Sequence, residues 1–448
     1  MNVSNNMLKK LSVSFANSAT KTILLIVCCC FAVISCERSE QSTKNSQANM
    51  ITVWAHAGQA AERDVIQQQF EAYDRAHADM QIKLTFIPER SYNAQVQAAA
   101  IAGELPDLIE FDGPYLYNYA WQGHLQPLEA LLSQNLQQDL LPSIIKQATY
   151  QGHLYGVGTF DSGLGLYARR SLLQQIHARI PTQPAQAWSV QEFDQILSHL
   201  AAQDADGAVL DLKLNYPDEW FTYAFSPVLQ SAGGDLIDRT DYQHATGVLN
   251  SAASVAAMQW LQTWIKKRLV DPNVDDAAFV TGRVAMSWAG HWEYQRYHAA
   301  FGDDLIVLPL PNFGKGSRTG QGSWVWGISS KSTVAKQAAG VIAYLLQPKQ
   351  ILAITAANGA VPATQTAIAQ STRYQKGGPL HLFVVQLNDG YAVPRPQTPA
   401  YPVISASFRQ AFADIRNGMP VQRALDRAAA QIDQDIRDNL GYPPMPRK

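Results

Sequence analysis

Strand-like and helix-like patterns alternate along the first part of the folded chain, which begins near Asn49. Apolar and alternating runs predict strands at 51–55, 81–87 and 107–111. Apolar residues at the spacing of one helix face lie between the first two strands, and residues 92–102 suit a second helix. This order predicts a largely parallel sheet with helices on both faces. In such sheets a ligand binds beyond the carboxyl ends of the strands.

Longer helical patterns dominate the chain after Pro127. They cover 189–202, 252–268 and an amphipathic stretch at 420–439, and strand-like segments return at 282–288, 305–308 and 324–329. Ser189 stands at an N-cap position with Glu192 three residues on, which is the pattern of a capping box. The sequence therefore predicts an α/β protein that is long enough for two lobes with separate cores.

The first 35 residues have the features of an export signal. Lys9, Lys10 and Lys21 carry positive charge and precede an apolar run from Ile23 to Ile34. That run of about a dozen residues is shorter than the roughly twenty that a membrane-spanning helix needs. A charged start, a short apolar core and small residues before a break are typical of a cleaved secretory signal. The alternative is a short anchor that stays in the membrane.

All four cysteines lie near the amino terminus. Three of them fall within the apolar run, and Cys36 is the last cysteine in the sequence. Cleavage before Cys36 would leave one thiol, so no disulfide could form within the mature chain. The preceding residues, Val33-Ile34-Ser35, complete a segment that resembles the lipobox of bacterial lipoproteins, and this implies acylation of Cys36. Residues 36–48 are polar and predict a flexible tether.

Charge and motifs argue against several classes of function. The 35 Lys and Arg residues nearly balance the 37 Asp and Glu residues, so the charge does not predict a nucleic-acid partner. The ten histidines show no metal-ligand spacing, and we expect neither a metal nor another cofactor. Phosphate-loop, zinc-protease and nucleophile-elbow signatures are missing, which favours a protein that is not an enzyme. Residues 204–207 resemble half a calcium loop, but Ala202 and Lys213 replace two ligands, so we predict a solvated turn.

Short motifs in a shared order carry a resemblance to one family. They are GELPDLI at 103–109, GHLQPL at 123–128, YQGHLYGV at 150–157, FVTGRVAM at 279–286 followed by Gly290-His291-Trp292, WGIS at 326–329 and NGAVP at 358–362. In this order they resemble the extracellular solute-binding proteins of ABC importers, in the sugar-binding group that includes maltose-binding protein. The resemblance covers nearly the whole mature chain.

The resemblance implies two α/β lobes that are joined by crossover strands and close on a ligand like a hinged clamp. We place the first lobe at 49–128 plus 331–374 and the second at 129–330 plus 375–448. It further implies a carbohydrate ligand, an ABC permease as partner and a monomeric state. The protein would be exported and attached to the membrane only through its lipid, at the periplasmic face or the cell surface.

A sugar needs charged or amide groups for its hydroxyls and aromatic rings for its C–H faces. Residues of these types stand where the family lines its cleft. The candidates are Trp54, His56, Tyr92, Asp112, Asp161, Asp218, Trp220, Trp292, Trp324, Arg395 and Tyr401. Trp292 follows Gly290, where the family commonly stacks a tryptophan on sugar, so we expect it to stack on the ligand.

Each candidate has a structural alternative. Tryptophan is more often a core residue than a binding platform, and we assign Trp260 and Trp264, four apart on one helix face, to the core. Asp112, at the end of a strand, could instead cap the following helix. Tyr92 could pack its own helix.

The predicted function is to capture a carbohydrate, as a di- or oligosaccharide, and to deliver it to a permease. One alternative ligand is glycerol 3-phosphate or another non-sugar solute, and a phosphate would need a basic cleft. An alternative of another class is a lipoprotein glycoside hydrolase with two of Asp112, Asp161 and Glu293 flanking one bond. Service to a sensor instead of a transporter is also compatible with this sequence.

Overall fold

The computed structural model describes residues 50–273 and 275–444. The predicted signal peptide, the predicted acylation site Cys36 and the predicted tether lie outside the described residues. Within these two ranges, no helix is both long enough and apolar enough to cross a membrane.

Short strands and longer helices alternate along the chain. The strands are β1 (Met50–His56), β2 (Gln81–Ile87), β3 (Leu108–Asp112), β4 (Thr149–Tyr150), β5 (His153–Leu154), β6 (Phe160–Asp161), β7 (Leu164–Arg169), β8 (Leu210–Asp211), β9 (Met286–Gly290), β10 (Leu305–Leu308), β11 (Thr319–Gln321), β12 (Trp324–Ile328), β13 (Val361–Pro362) and β14 (Ala392–Pro394). The α-helices are α1 (Ala60–Ala76), α2 (Glu89–Ala102), α3 (Leu116–Trp121), α4 (Gln134–Asp139), α5 (Pro142–Gln147), α6 (Arg170–Gln175), α7 (Val190–Ala201), α8 (Glu219–Ala232), α9 (Ala252–Lys266), α10 (Tyr294–Phe301), α11 (Ala335–Leu345), α12 (Pro348–Asn358), α13 (Gln365–Ala369), α14 (His381–Asn388), α15 (Tyr401–Arg416) and α16 (Val421–Asp438).

The first sheet has the strand order β12-β3-β1-β2. Strands β1 and β3 run parallel, while β12 returns from far along the chain and runs antiparallel to β3. The register of that pair sets Trp324 opposite Asp112, at the carboxyl end of β3. Helix α1 buries Ile66 and Phe70, as its apolar spacing predicts. The predicted α/β fold is therefore confirmed.

The second sheet has the strand order β10-β7-β9-β8. Strand β9 runs antiparallel to β7 and ends at Gly290, opposite Leu164. Helix α7 begins as predicted, because the Ser189 hydroxyl accepts a hydrogen bond from the Glu192 N–H at 3.1 Å. The Glu192 carboxylate, however, accepts from Arg179, at 2.9 Å for the shorter bond. The predicted N-cap by Ser189 is therefore present. The reciprocal bond of a capping box, from the Glu192 side chain to the Ser189 N–H, is replaced by the ion pair with Arg179.

Two local predictions turn on backbone conformation. The strand predicted at 282–288 begins only at Met286, because a turn with Gly282 at φ +73° precedes it. Such a positive φ favours glycine. The half calcium loop is a turn, as predicted: Asp204 Oδ1 accepts from the N–H groups of Asp206 and Gly207, both at 3.0 Å.

Among the described residues, buried apolar side chains form two large clusters and a smaller third one. The first combines residues of β1, β3 and β12 with Ile144, Leu154 and Val157. The second gathers most of the buried apolar residues from 164–310 and 400–436, and the third centres on Tyr167, Phe279 and Tyr297. Residues within 132–160 and strand β12 contribute side chains to the first cluster, and the lobe boundaries at 128 and 330 stay a prediction. The position of the hinge between moving lobes stays a prediction. Trp264 is fully buried in the second cluster, as predicted, whereas Trp260 is only half-buried and packs against that cluster.

Candidate functional site

A cleft with a cavity volume of about 250 Å³, partly open to solvent, lies beyond the carboxyl ends of β1 and β3. Its other side is formed by the start of α8 and by the residues that follow β9. The lining residues are His56, Gly58, Gln59, Glu62, Glu89, Asn93, Asp112, Phe160, Ser162, Tyr216, Pro217, Asp218, Glu219, Trp220, Tyr223, His291, Trp292, Gly322, Ser323, Trp324 and Arg395. The position is the one that the strand order of an open α/β sheet predicts.

Seven of the residues proposed from the sequence meet in this cleft. They are His56, Asp112, Asp218, Trp220, Trp292, Trp324 and Arg395. These residues come from segments that are far apart in sequence, and the two sheets bring their ends together.

Four proposed residues lie outside the lining of this cleft. Trp54 is half-buried and packs against the first core cluster. Tyr92 is buried, and its hydroxyl donates to the backbone carbonyl of Glu110. Asp161 is fully buried and accepts from the N–H of the next residue at 2.8 Å. Tyr401 is also fully buried, although its hydroxyl reaches a carboxylate of the cleft.

An ion network centred on Arg395 joins two walls of the cleft. The guanidinium donates twice to Asp112, at 2.7 and 2.6 Å, and once to Glu219 at 2.9 Å. Glu219 also accepts from the hydroxyls of Tyr401 and Ser405. Burial raises the pKa of Glu219, and the charge of Arg395 opposes that shift. Burial would lower the pKa of Arg395, but the two carboxylates outweigh it and hold that pKa well above its usual range.

A second ion network surrounds His56. Its Nδ1 lies 2.7 Å from Glu110 and its Nε2 lies 3.5 Å from Glu62. Burial would lower the pKa of His56, but the two carboxylates outweigh it and raise the pKa well above 6.5. Glu62 is held in turn by the side-chain amide of Asn358 at 2.8 Å. His56 is therefore a cation shared between two carboxylates.

Aromatic rings line both sides of the cleft. Trp324 is half-buried and stacks on His56, with ring centroids 3.9 Å apart and planes 4° apart. Trp292 is half-buried on the other side, beside Trp220 with centroids 6.1 Å apart. Trp220 itself is only 5% exposed, and its indole N–H donates to the carbonyl of Leu212 at 3.0 Å. Trp292 and Trp324 thus present more ring surface to a ligand than Trp220 does.

The comparisons with known proteins agree with this architecture. The family model of the bacterial extracellular solute-binding proteins matches residues 68–378. The chain belongs to this family. An uncharacterized lipoprotein of Streptomyces antibioticus is 24% identical to this solute-binding protein over 70% of each chain.

Solved structures with the same fold are similar over nearly their whole length. The GacH receptor of Streptomyces glaucescens, studied unliganded and with acarbose, is 22% identical, with a TM-score of 0.71 over 87% of this chain and 97% of its own. Maltose-bound MalE3 of T. maritima is 21% identical, with a TM-score of 0.74 over 86% of this chain and 99% of its own. At this level of identity the likeness establishes the fold of the solute-binding protein.

Several cleft residues of this solute-binding protein were not among the candidates predicted from the sequence. They are Gln59, Glu62, Glu89, Asn93, Ser162, Tyr216, Glu219, Tyr223 and His291. Two of them adjoin motifs that the sequence does mark: Glu219 follows Asp218, and His291 precedes Trp292. Glu219 bonds Arg395, whereas Asp218 pairs with Arg409 at the surface. The sequence signal that could have identified Glu219 is its position directly after the candidate Asp218, at the start of a helix.

Proposed function

We propose that this extracellular solute-binding protein captures a neutral sugar in the cleft and hands it to an ABC permease. The observation that carries the proposal is the half-buried ring of Trp292 in the same cleft as the fixed carboxylates of Asp112 and Glu219. An aromatic ring suits the C–H face of a pyranose, and carboxylates make strong hydrogen bonds with hydroxyls. Trp324 offers a second ring on the opposite side, which favours a ligand of two or more sugar units.

The charges of the cleft disfavour glycerol 3-phosphate and other phosphorylated ligands. Arg395 is shared by Asp112 and Glu219, and His56 lies between Glu62 and a second carboxylate. Each cation is therefore already outnumbered by carboxylates. A phosphate would meet like charges at close range, which costs free energy in a partly desolvated site.

The carboxylates proposed for a glycoside hydrolase have other partners. Asp161 is fully buried and outside the cleft lining. Glu293 is 1% exposed and bonds Arg296 at 2.9 Å, and Asp112 is tied to Arg395. Paired catalytic carboxylates need to flank a bound glycosidic bond. This arrangement supports binding without chemical conversion of the ligand.

The proposal includes export, acylation of Cys36 and attachment through a flexible tether. The lipobox-like residues before Cys36 support it, and so does the lipoprotein among the relatives. We also propose that the protein acts as a monomer.

Calorimetry on the chain from residue 49 onward tests the ligand class. We expect heat of binding with a neutral di- or oligosaccharide, unchanged sugar by chromatography after long incubation, and no heat with glycerol 3-phosphate. Binding of the phosphate in preference to every neutral sugar would overturn the proposed ligand. Appearance of shorter sugars, retained in repeated preparations, would overturn the non-enzymatic role.

A further inference from the structure

The ring of Trp292 occupies space that only a glycine at position 290 leaves free. A Cβ built on Gly290 would lie 2.1, 2.2 and 2.5 Å from three atoms of the six-membered ring. Such distances are far inside van der Waals contact. The backbone of Gly290 has φ −86° and ψ 173°, which other residues adopt readily. Space, and not backbone conformation, therefore requires glycine here.

A hydrogen bond fixes the other end of the indole. The Trp292 N–H donates to the hydroxyl oxygen of Tyr216 at 3.2 Å. That hydroxyl donates its own proton to Glu293. Because its proton is committed to a carboxylate, the oxygen of Tyr216 presents lone pairs to the indole. The two bonds give the ring of Trp292 a defined orientation in the cleft.

Glu293 is held by a network of charges behind the cleft, in which Glu293 and Lys213 are buried and Arg296 and Asp276 are partly exposed. Arg296 lies 2.8 Å and Lys213 3.8 Å from its carboxylate. Asp276 contacts both cations, at 2.8 Å for Lys213 and 2.6 Å for Arg296. The side chain of Lys213 is fully buried, and a buried charge is tolerated only when it is paired. Removing one member would leave another uncompensated.

We infer that Gly290 and Tyr216 are positioning residues that set the ring of Trp292 for stacking against the ligand, with Glu293 and its cations holding Tyr216. This inference rests on the proposed function, because it assigns the stacking itself to Trp292. Two buried charged groups, Lys213 and Glu293, thus take part in fixing the orientation of the Trp292 ring, Glu293 through its bond with Tyr216 and Lys213 through its ion pair with Glu293. A platform that was free to rotate would lose conformational freedom whenever a ligand bound, which weakens affinity.

A double-mutant cycle separates positioning from general stability. Tyr216→Phe keeps the ring but removes the hydroxyl, so we expect sugar affinity to fall roughly threefold to tenfold. The matched variant Tyr344→Phe, on α11 in the other core cluster, leaves affinity unchanged. In a Trp292→Phe background, which lacks the indole N–H, Tyr216→Phe has no further effect. Gly290→Ala should also lower sugar affinity in the natural protein. In the Trp292→Phe background it should lose most of this effect, because the smaller ring leaves space for the Cβ of residue 290.

Equal affinities for the natural protein and for both Tyr216→Phe and Gly290→Ala would overturn the inference. The inference would also be overturned if Tyr216→Phe and Gly290→Ala lowered sugar affinity just as much in the Trp292→Phe background, because they would then act without the indole. A second readout needs no ligand: the Trp292 indole N–H resonance, assigned through Trp292→Phe. We expect Tyr216→Phe to shift it and Tyr344→Phe to leave it in place. If the natural protein binds no sugar, the proposed function fails, but the resonance still tests whether Tyr216 positions the indole. A resonance that Tyr216→Phe leaves unshifted would overturn the positioning role.

Discussion

Arg395 and Asp112 form a two-point ion pair at 2.7 and 2.6 Å, although 283 positions of sequence separate them. Their residues are 5% and 7% exposed, so both charges lie almost out of water. The pair joins the loop after β14 to the carboxyl end of β3. Because Arg395 also reaches Glu219, one side chain connects segments from both core clusters. The cleft therefore owes its shape to a buried charge as well as to apolar packing.

Replacement of Arg395 by methionine should strongly destabilise the protein. The change leaves Asp112 and Glu219 buried without their cation, and the loss of one partner from a buried pair typically costs about 3–5 kcal/mol. Urea unfolding of the natural and variant proteins measures the difference.

Arg409→Met is the control for that experiment. Arg409 pairs with Asp218 at the surface, where the two side chains are 44% and 35% exposed. Exposed pairs contribute about 1 kcal/mol or less. Equal losses in the two variants would contradict the structural role assigned to Arg395.

Local sequence patterns predict much of the first sheet. Strand β2 and the spacing of α1 follow from alternation and one-face periodicity, which depend on near neighbours. The partner of β3 is different, because β12 arrives from more than two hundred residues away. Local patterns mark β12 as a strand but carry no information about its neighbour. Local patterns likewise carry no information that Ile144 and Leu154 join the core of this sheet.

The candidate site shows the same limit at the level of single residues. Motif resemblance marks Trp292 and Asp112, because each follows a recognisable strand. Nothing local indicates that Tyr216 contacts Trp292, or that Glu62 reaches His56. Those contacts depend on tertiary packing. Motif resemblance and residue type therefore identified the residues at strand ends better than the side chains that hold them.

Stability should decrease on the alkaline side because of His56. Its pKa is raised when the protein is folded, so its stabilisation is complete below pH 6.5, where both states are protonated. Above that pH the unfolded chain releases its proton first, and the free energy of unfolding falls until the folded pKa is passed. Urea unfolding between pH 6.5 and 9 measures this slope. His56→Gln should flatten it, and the surface variant His244→Gln should not; an unchanged slope in His56→Gln would contradict the ion network.

His291 should lower the stability of the protein on the acid side, where His56 does not. Burial lowers its pKa to about 4, against a smaller opposing effect of its hydrogen bond to the carbonyl of Asn358. Below pH 6.5 the unfolded chain takes up a proton that the folded protein resists. The free energy of unfolding should therefore fall by as much as about 1.4 kcal/mol per pH unit towards pH 4. In His291→Gln the free energy of unfolding should fall less between pH 6.5 and 5 than in the natural protein. An identical decline in the natural protein and the variant would refute a neutral buried His291.

Removal of the Trp292 ring should abolish most of the ligand affinity. A tryptophan at the centre of a binding site typically contributes 2 kcal/mol or more, which is about a thirtyfold change in Kd. Trp260→Ala is the matched control, because that residue of α9 packs against the second core cluster and is outside the cleft lining. It should lower stability while sugar affinity stays the same. Comparable losses of affinity in the two variants would point to a general effect of truncation.

Thermal unfolding of the chain from residue 49 onward, against a panel of neutral mono-, di- and oligosaccharides, tests the central claim most directly. A ligand that binds only the folded state must raise Tm with increasing concentration. We expect such a rise with one class of neutral di- or oligosaccharide and its loss in Trp292→Ala. If no sugar raises Tm while a peptide, a polyamine or a phosphorylated solute does, the cleft serves a different ligand and the sugar assignment is wrong.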